Sequence, residues 1–308
     1  MKIGNVELKS NIFLAPIAGF SEVGFRQLSA KYGAGLTYTE MVSAKGVYFN
    51  NNGTEELLRT SPFESAVAVQ LFGSDVKFMY EASKDIRLQK FDIIDINMGC
   101  PVRKVFCGGD GSALMKNPTL ISEIVAAVKE GSKKPVTVKM RAGIEMDKPL
   151  AVDCALAAEK GGADAVAIHP RYRSQFYSGQ ADHEITRQVK EALHIPVIAS
   201  GDIVDAESLK RVKAQTNADA FMIARGALGK PYIFSELLNL PYEYSAKDAI
   251  LEHIAVLEQG LPLSVVANQM KMQLCYYAKG NANAKAVRVA SAESKSMEEI
   301  LEIIEKYF

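Results

Sequence analysis

Ile93-Ile94-Asp95-Ile96-Asn97-Met98-Gly99-Cys100-Pro101 opens as a short apolar run and ends in a polar, turn-forming segment. Seven other runs have the same character, at residues 12–15, 36–38, 66–71, 136–140, 165–168, 197–199 and 220–223. They are rich in Val, Ile and Ala, as strands of a parallel sheet buried on both faces are. Amphipathic stretches lie between them, at 122–131, 151–161 and 206–214 among others, and Asn117-Pro118 supplies a cap and first-turn proline for the first of these. Eight strand–helix units within about 235 residues predict a (β/α)₈ (TIM) barrel, a fold of about this size. A doubly wound open sheet is the alternative, but no GxGxxG follows the first strand. After Pro241 the strand-like runs stop. Segments 248–259, 265–279 and 297–308 read as helices, with a turn-like break at Asn281-Ala282-Asn283-Ala284. The expected division is therefore a barrel over 1–240 and a small all-helical domain over 241–308.

With 308 residues, 48% hydrophobic and 23% charged, the chain has an ordinary globular composition. No apolar stretch approaches the ~20 residues of a membrane span, and no secretory signal is evident, so a cytoplasmic location is expected. The four cysteines form no CxxC or Cys/His cluster, so neither a metal site nor a disulfide framework is expected. Formal net charge is zero, so any nucleic-acid contact has to come from local patches. No protein partner is evident, and a monomer is expected.

In such a barrel the C-terminal strand ends build the site. Those ends read Ala15-Pro16, Glu40, Gln70, Asn97 with Cys100, Lys139 with Arg141, His169, Ser200-Gly201-Asp202, and Ala224-Arg225-Gly226. A solvated rim position accounts for a lysine such as Lys139. Otherwise it holds the anionic N1/O2 edge of a reduced flavin or forms a Schiff base. His169 precedes Arg171 and Arg173, which look like an anion-binding pair. The glycine-bearing turns after strands seven and eight fall where phosphates often sit in these barrels, although tight turns alone also call for glycine. Cys100 sits in a Gly-Cys-Pro turn followed by Arg103 and Lys104, the partly exposed, cation-flanked setting of a reactive thiol; a buried inert thiol is the plainer reading.

Residues 94–105 with Gly111-Ser112-Ala113-Leu114, Leu14-Ala15-Pro16-Ile17-Ala18-Gly19, the run His169 to Gly179, and Ala224-Arg225-Gly226-Ala227 together resemble the signatures of tRNA-dihydrouridine synthases. Ser200, Ala224, Pro170 and Tyr172 stand where that family usually has Asn, Gly, Gly and Thr. The resemblance implies FMN at the barrel mouth, NADPH as reductant and tRNA as substrate. Cys100 would be the catalytic acid. Ala15, Pro16, Gln70, Lys139, His169, Ser200, Gly201, Asp202, Ala224, Arg225 and Gly226 would hold the cofactor. Asn97, Arg103, Lys104, Arg141, Arg171, Arg173 and Gln175 would face the substrate. Between Gln259 and Ala292 lie Lys271, Lys279, Lys285 and Arg288 without an acidic residue, a candidate phosphate-tracking stripe or simply a solvated face. A flavin barrel acting on a free pyrimidine or orotate-type substrate is the rival reading.

Overall fold

A computed structural model describes all residues, Met1–Phe308. Eight strands form one parallel sheet: β1 (Ile12–Leu14), β2 (Thr37–Ser43), β3 (Val67–Phe72), β4 (Ile93–Met98), β5 (Val136–Gly143), β6 (Ala165–Tyr172), β7 (Val197–Ser200) and β8 (Ala220–Ile223). Each pairs with its sequence neighbour from β2 to β8, and β8 pairs with β1. The seam between β1 and β2 is closed by a single bridge, Phe13 to Leu36. The sheet is therefore the expected barrel, ringed by α1 (Val23–Lys31), α2 (Val76–Ser83), α3 (Pro118–Ser132), α4 (Ala151–Lys160), α5 (His183–Ala192), α6 (Ala206–Thr216) and α7 (Ile233–Leu238). Asn117 caps α3 by accepting from the Leu120 N–H at 3.1 Å, with Pro118 in the first turn where no N–H is missed.

Several strands run past their apolar cores. β2 continues through Glu40, with a register shift between Tyr38 and Met41, and β6 continues through His169 to Tyr172. Alternation is also stronger than the composition of the runs suggests. Ile94, Ile96, Val136, Val138, Val166 and Ile168 face outward into the core shared with the helices. Their alternate neighbours Ile93, Ala165 and Ala167 belong to the core inside the barrel, as strand periodicity requires. The same periodicity sends Asp95, Asn97, Thr137, Lys139 and Arg141 inward. Register sets Gln70 beside Asp95, Asp95 beside Thr137, Asn97 beside Lys139, and Arg141 beside His169.

Four helices follow: α8 (Ala246–Glu258), α9 (Leu263–Tyr277), α10 (Ala284–Glu293) and α11 (Met297–Tyr307). Sequence reasoning found three of them and took the segment around Asn281–Ala284 as a break. α10 begins directly after that turn, and Val287 is its buried anchor. The four helices share an apolar core that includes Val23 of α1. At this junction His253 Nε2 lies 2.6 Å from Glu22 Oε1 and His253 Nδ1 lies 3.1 Å from the Tyr277 hydroxyl. Glu22 at the same time caps α1 through the Gly24 N–H at 2.6 Å. Gly229, at φ +71°, presses against α9 so closely that an added Cβ would lie 2.1 Å from the Tyr276 carbonyl oxygen. No helix is long and apolar enough to cross a membrane.

Candidate active site

The C-terminal strand ends enclose a cavity of about 600 Å³. Ala15 and Pro16 (β1), Gln70 (β3), Asn97 and Cys100 (β4), Lys139 and Arg141 (β5), His169 (β6), Ser200-Gly201-Asp202 (β7) and Ala224-Arg225-Gly226 (β8) all line it. Seven separate strand ends thus converge on one space. Met41, Tyr177, Lys230, Tyr276 and Lys279 also line it; Lys279 was expected only in the phosphate-tracking stripe, and the other four were not singled out from sequence. Tyr276 of α9 and Lys279 just beyond its end are brought there by the Gly229 contact. Lining cations are Lys139, Arg141, Arg225, Lys230 and Lys279, against one acid, Asp202. A chain of zero net charge therefore presents an electropositive mouth, which attracts anionic ligands.

Lys139 rises from the cavity floor with no hydrogen-bond or ion-pair partner among the side chains around it. Burial, reinforced by the nearby Arg141 charge, pushes its ammonium down to about 8 against the pull of Asp95. An unpaired cation this desolvated is costly, and an anion placed against it would relieve that cost. His169 is held well below the usual imidazole range by burial and by the charges of Lys139, Arg141, Arg171 and Arg225, and is neutral. Arg171 Nη1 lies 3.1 Å from His169 Nε2 and can only donate, which leaves the ring proton on Nδ1. The backbone N–H groups of Gly201, Asp202, Arg225 and Gly226 find no acceptor in the protein. Together they form a set of donors suited to phosphate oxygens.

Cys100 is 9% exposed, more enclosed than the partly open loop tip expected from the sequence. Its N–H donates to Asn97 Oδ1 at 2.9 Å, and its carbonyl accepts from the Ser112 hydroxyl at 2.9 Å. Burial pushes the thiol up, and the charges of Arg141 and Lys139 offset this only in part, so it stays protonated at neutral pH. The loop beyond it is pinned as well: Arg173 and Lys116 both lie over the Phe106 ring, at 3.8 and 4.7 Å from its centroid.

The expected substrate-facing set needs correction. Arg171 is 2% exposed and committed: it pairs with Asp202 at 2.8 Å and donates to the Ser178 and Gly179 carbonyls. It lies against inward-facing His169, which its Nη1 meets at 3.1 Å, and four of its five N–H groups are taken inside the protein. Arg173 stacks over Phe106 of the loop after β4 while its guanidinium makes no hydrogen bond, and Gln175 Oε1 accepts from the Tyr172 N–H at 2.7 Å, which holds its own turn together. Arg103 and Lys104 are exposed on the short helix Arg103–Cys107, outside the cavity lining. Arg141 does reach the cavity, but donates to the Gly99, Tyr172 and Phe176 carbonyls. Replacing Arg171 by Ala would leave two carbonyls without their donor and Asp202 with only the Ala181 N–H as a hydrogen-bond donor; we expect a loss of about 3 kcal/mol, read as a lowered midpoint in urea unfolding.

A barrel whose polar strand ends converge on an electropositive mouth is the architecture of a (β/α)₈ enzyme. The family model described as Dihydrouridine synthase (Dus) matches residues 13–308. A probable tRNA-dihydrouridine synthase of Rickettsia conorii is 37% identical over 94% of this chain and 91% of its own length. The tRNA-dihydrouridine synthase B of Vibrio cholerae is 35% identical over 100% and 98%. Among solved structures, morphinone reductase in complex with tetrahydroNAD shares the fold at a TM-score of 0.54 and 14% identity, covering 79% of this chain and 90% of that one. The chain belongs to the dihydrouridine synthase family and is an oxidoreductase.

Proposed function

We propose that this protein reduces the C5=C6 bond of uridines in tRNA to 5,6-dihydrouridine, with FMN held in the barrel mouth and NADPH as the reductant. The observation that carries the proposal is the unpartnered Lys139 ammonium on the cavity floor, in the same cavity as a protonated Cys100 thiol. The residues fit FMN in two respects. Lys139 and neutral His169 suit the electron-rich N1/O2 edge of a flavin ring flanked by Ala15, Pro16 and Gln70. The unpaired N–H groups of Gly201, Asp202, Arg225 and Gly226, with the small residues Ser200 and Ala224, suit its phosphate. Bound there, FMN would supply hydride to C6 of the uracil and be recharged by NADPH.

The protein's own part is to place the base and supply a proton. As charge builds at C5 and O4, the Cys100 thiol gives its proton to C5 and is left as a thiolate that Arg141 and Lys139 stabilise. The thiol's raised affinity for its proton keeps it loaded before the reaction. Asn97 supports the turn that carries it, and its cavity-facing amide can contact the uracil. A base inside a stacked helix cannot reach such an enclosed site, so the uridine has to be extruded.

For tRNA, the reading draws on the names of relatives aligned over nearly their whole length, on Lys279 at the mouth and on exposed Lys285 and Arg288 of the helix α10 that follows. We assign residues 1–240 to the catalytic barrel and 241–308 to a tRNA-binding domain, working as a cytoplasmic monomer. Incubating the purified protein with FMN, NADPH and unmodified tRNA should give a mass gain of 2 Da at a defined uridine, mapped by mass spectrometry. NADPH consumption without that product, or reduction of free uracil in its place, would refute the assignment.

A further inference from the structure

Asp95 lies at the centre of the barrel floor with no solvent exposure, and nothing in the proposed reaction uses it directly. Its Oδ1 accepts from the Thr137 hydroxyl and its Oδ2 from Gln70 Nε2, both at 2.6 Å. A carboxylate only accepts, whereas a carboxamide has one donating and one accepting end. The first bond therefore dictates the direction of every amide beyond it. With Nε2 turned to Asp95, Gln70 offers Oε1, which accepts from Asn97 Nδ2 at 2.8 Å. Asn97 must then present Oδ1 to the turn, where it accepts from the N–H groups of Gly99 at 3.2 Å and Cys100 at 2.9 Å. Each amide nitrogen keeps a second hydrogen, and Gln70 and Asn97 both line the cavity.

We infer that Asp95 is a positioning residue: its carboxylate sets the direction of the Gln70–Asn97 relay, which fixes the turn carrying Cys100 and leaves N–H donors, not carbonyls, facing the ligands. The ligand part of this statement rests on the proposed reduction of uracil, whose carbonyl oxygens those donors would meet; the orientation of the relay does not. Burial alone would favour an apolar residue here. Burial outweighs the Gln70 and Thr137 donors and the Lys139 charge and leaves the acid at about 7, so the accept-only carboxylate that sets the relay is the form that prevails above that pH. Once the carboxylate is replaced by an amide, Gln70 is free to turn over, Asn97 follows, and a donor meets the N–H groups of Gly99 and Cys100.

The test is hydrogen–deuterium exchange at Gly99 and Cys100 in flavin-free protein, without tRNA. In Asp95→Asn these two amides should exchange faster by about tenfold or more, while those of the outer helices keep their protection. Adding Gln70→Glu moves the carboxylate one link along, where it accepts both from the new amide at position 95 and from Asn97 Nδ2. Protection at Gly99 and Cys100 should then return, an outcome that loss of a merely structural charge does not predict. Unchanged exchange in a folded Asp95→Asn protein, or no recovery in the double variant, would overturn the inference. Should neither variant fold, the native Gln70 side-chain amide decides by NMR: a downfield, exchange-protected proton supports the relay, and one exchanging like free glutamine overturns it. Because no turnover is involved, failure of the proposed reaction leaves this result standing. Dihydrouridine made by the native protein, with Asp95→Asn protection unchanged, would remove the relay alone.

Discussion

Cys100→Ala should bind FMN and accept electrons from NADPH as the native protein does, yet form dihydrouridine about 10²- to 10⁴-fold more slowly, the usual contribution of a positioned general acid. The substitution removes only Sγ. The contacts that shape the turn belong to the backbone of Cys100, through Asn97 and Ser112, and survive it. Gly111 would place a Cβ 3.0 Å from the Cys100 Cβ, which the variant retains, so the neighbouring chain has no cause to move. The two half-reactions can be followed apart: bleaching of the flavin absorbance by NADPH in a stopped-flow instrument, and product by mass spectrometry. Native-like product formation would show that the proton comes from another group.

Lys139→Met should act in opposite directions on stability and on turnover. The ammonium binds its proton less tightly in the folded chain, near pH 8, than in the unfolded chain, near 10.5. Below pH 8 the unfolded state therefore holds a proton that the fold disfavours, and the native apoprotein carries a cost of about 3 kcal/mol. Its stability should rise as pH climbs from 8 to 10.5 and level off above that. Methionine keeps the length of the side chain without the charge, so the variant apoprotein should melt higher at pH 7 by several degrees, with the advantage vanishing above pH 10.5. Turnover should fall by about 10²- to 10³-fold, as when a preorganised group facing developing charge is removed. Calorimetry across pH and dihydrouridine assays measure the two effects. A lower melting temperature at pH 7 would mean that Lys139 has a stabilising partner.

The barrel could be read from the sequence because eight runs of Val, Ile and Ala each end in Gly, Pro or a polar group, and both faces of each strand are apolar enough to declare burial. Most of the cavity lining followed from the same rule, since C-terminal strand ends converge whatever the loops do. What the runs concealed was periodicity within them. Asp95 and Thr137 sit inside apolar stretches and were passed over. Counting by twos from Asn97 and Lys139 would have turned both inward. Arg171 lies at a register shift in β6, where such a count breaks down, so its pairing with Asp202 had no local signal. Tyr276 and Lys279 had no such signal. They reach the mouth because of how α9 packs on the loop after β8, a long-range contact that no local pattern encodes. Helix α10 was missed because the Asn-Ala-Asn-Ala turn drew attention from the periodic segment behind it.

The near-contact between Gly229 and the Tyr276 carbonyl bears on how this chain can be recombined with its relatives. The seam between barrel and helices meets backbone to backbone at this point, so its fit depends on the absence of a side chain and not on a replaceable pair. A chimaera that joins residues 241–308 to another barrel inherits that requirement at a position outside the exchanged segment. Glycine at the place of 229 becomes a condition of compatibility, and crossover points chosen by sequence similarity alone would overlook it.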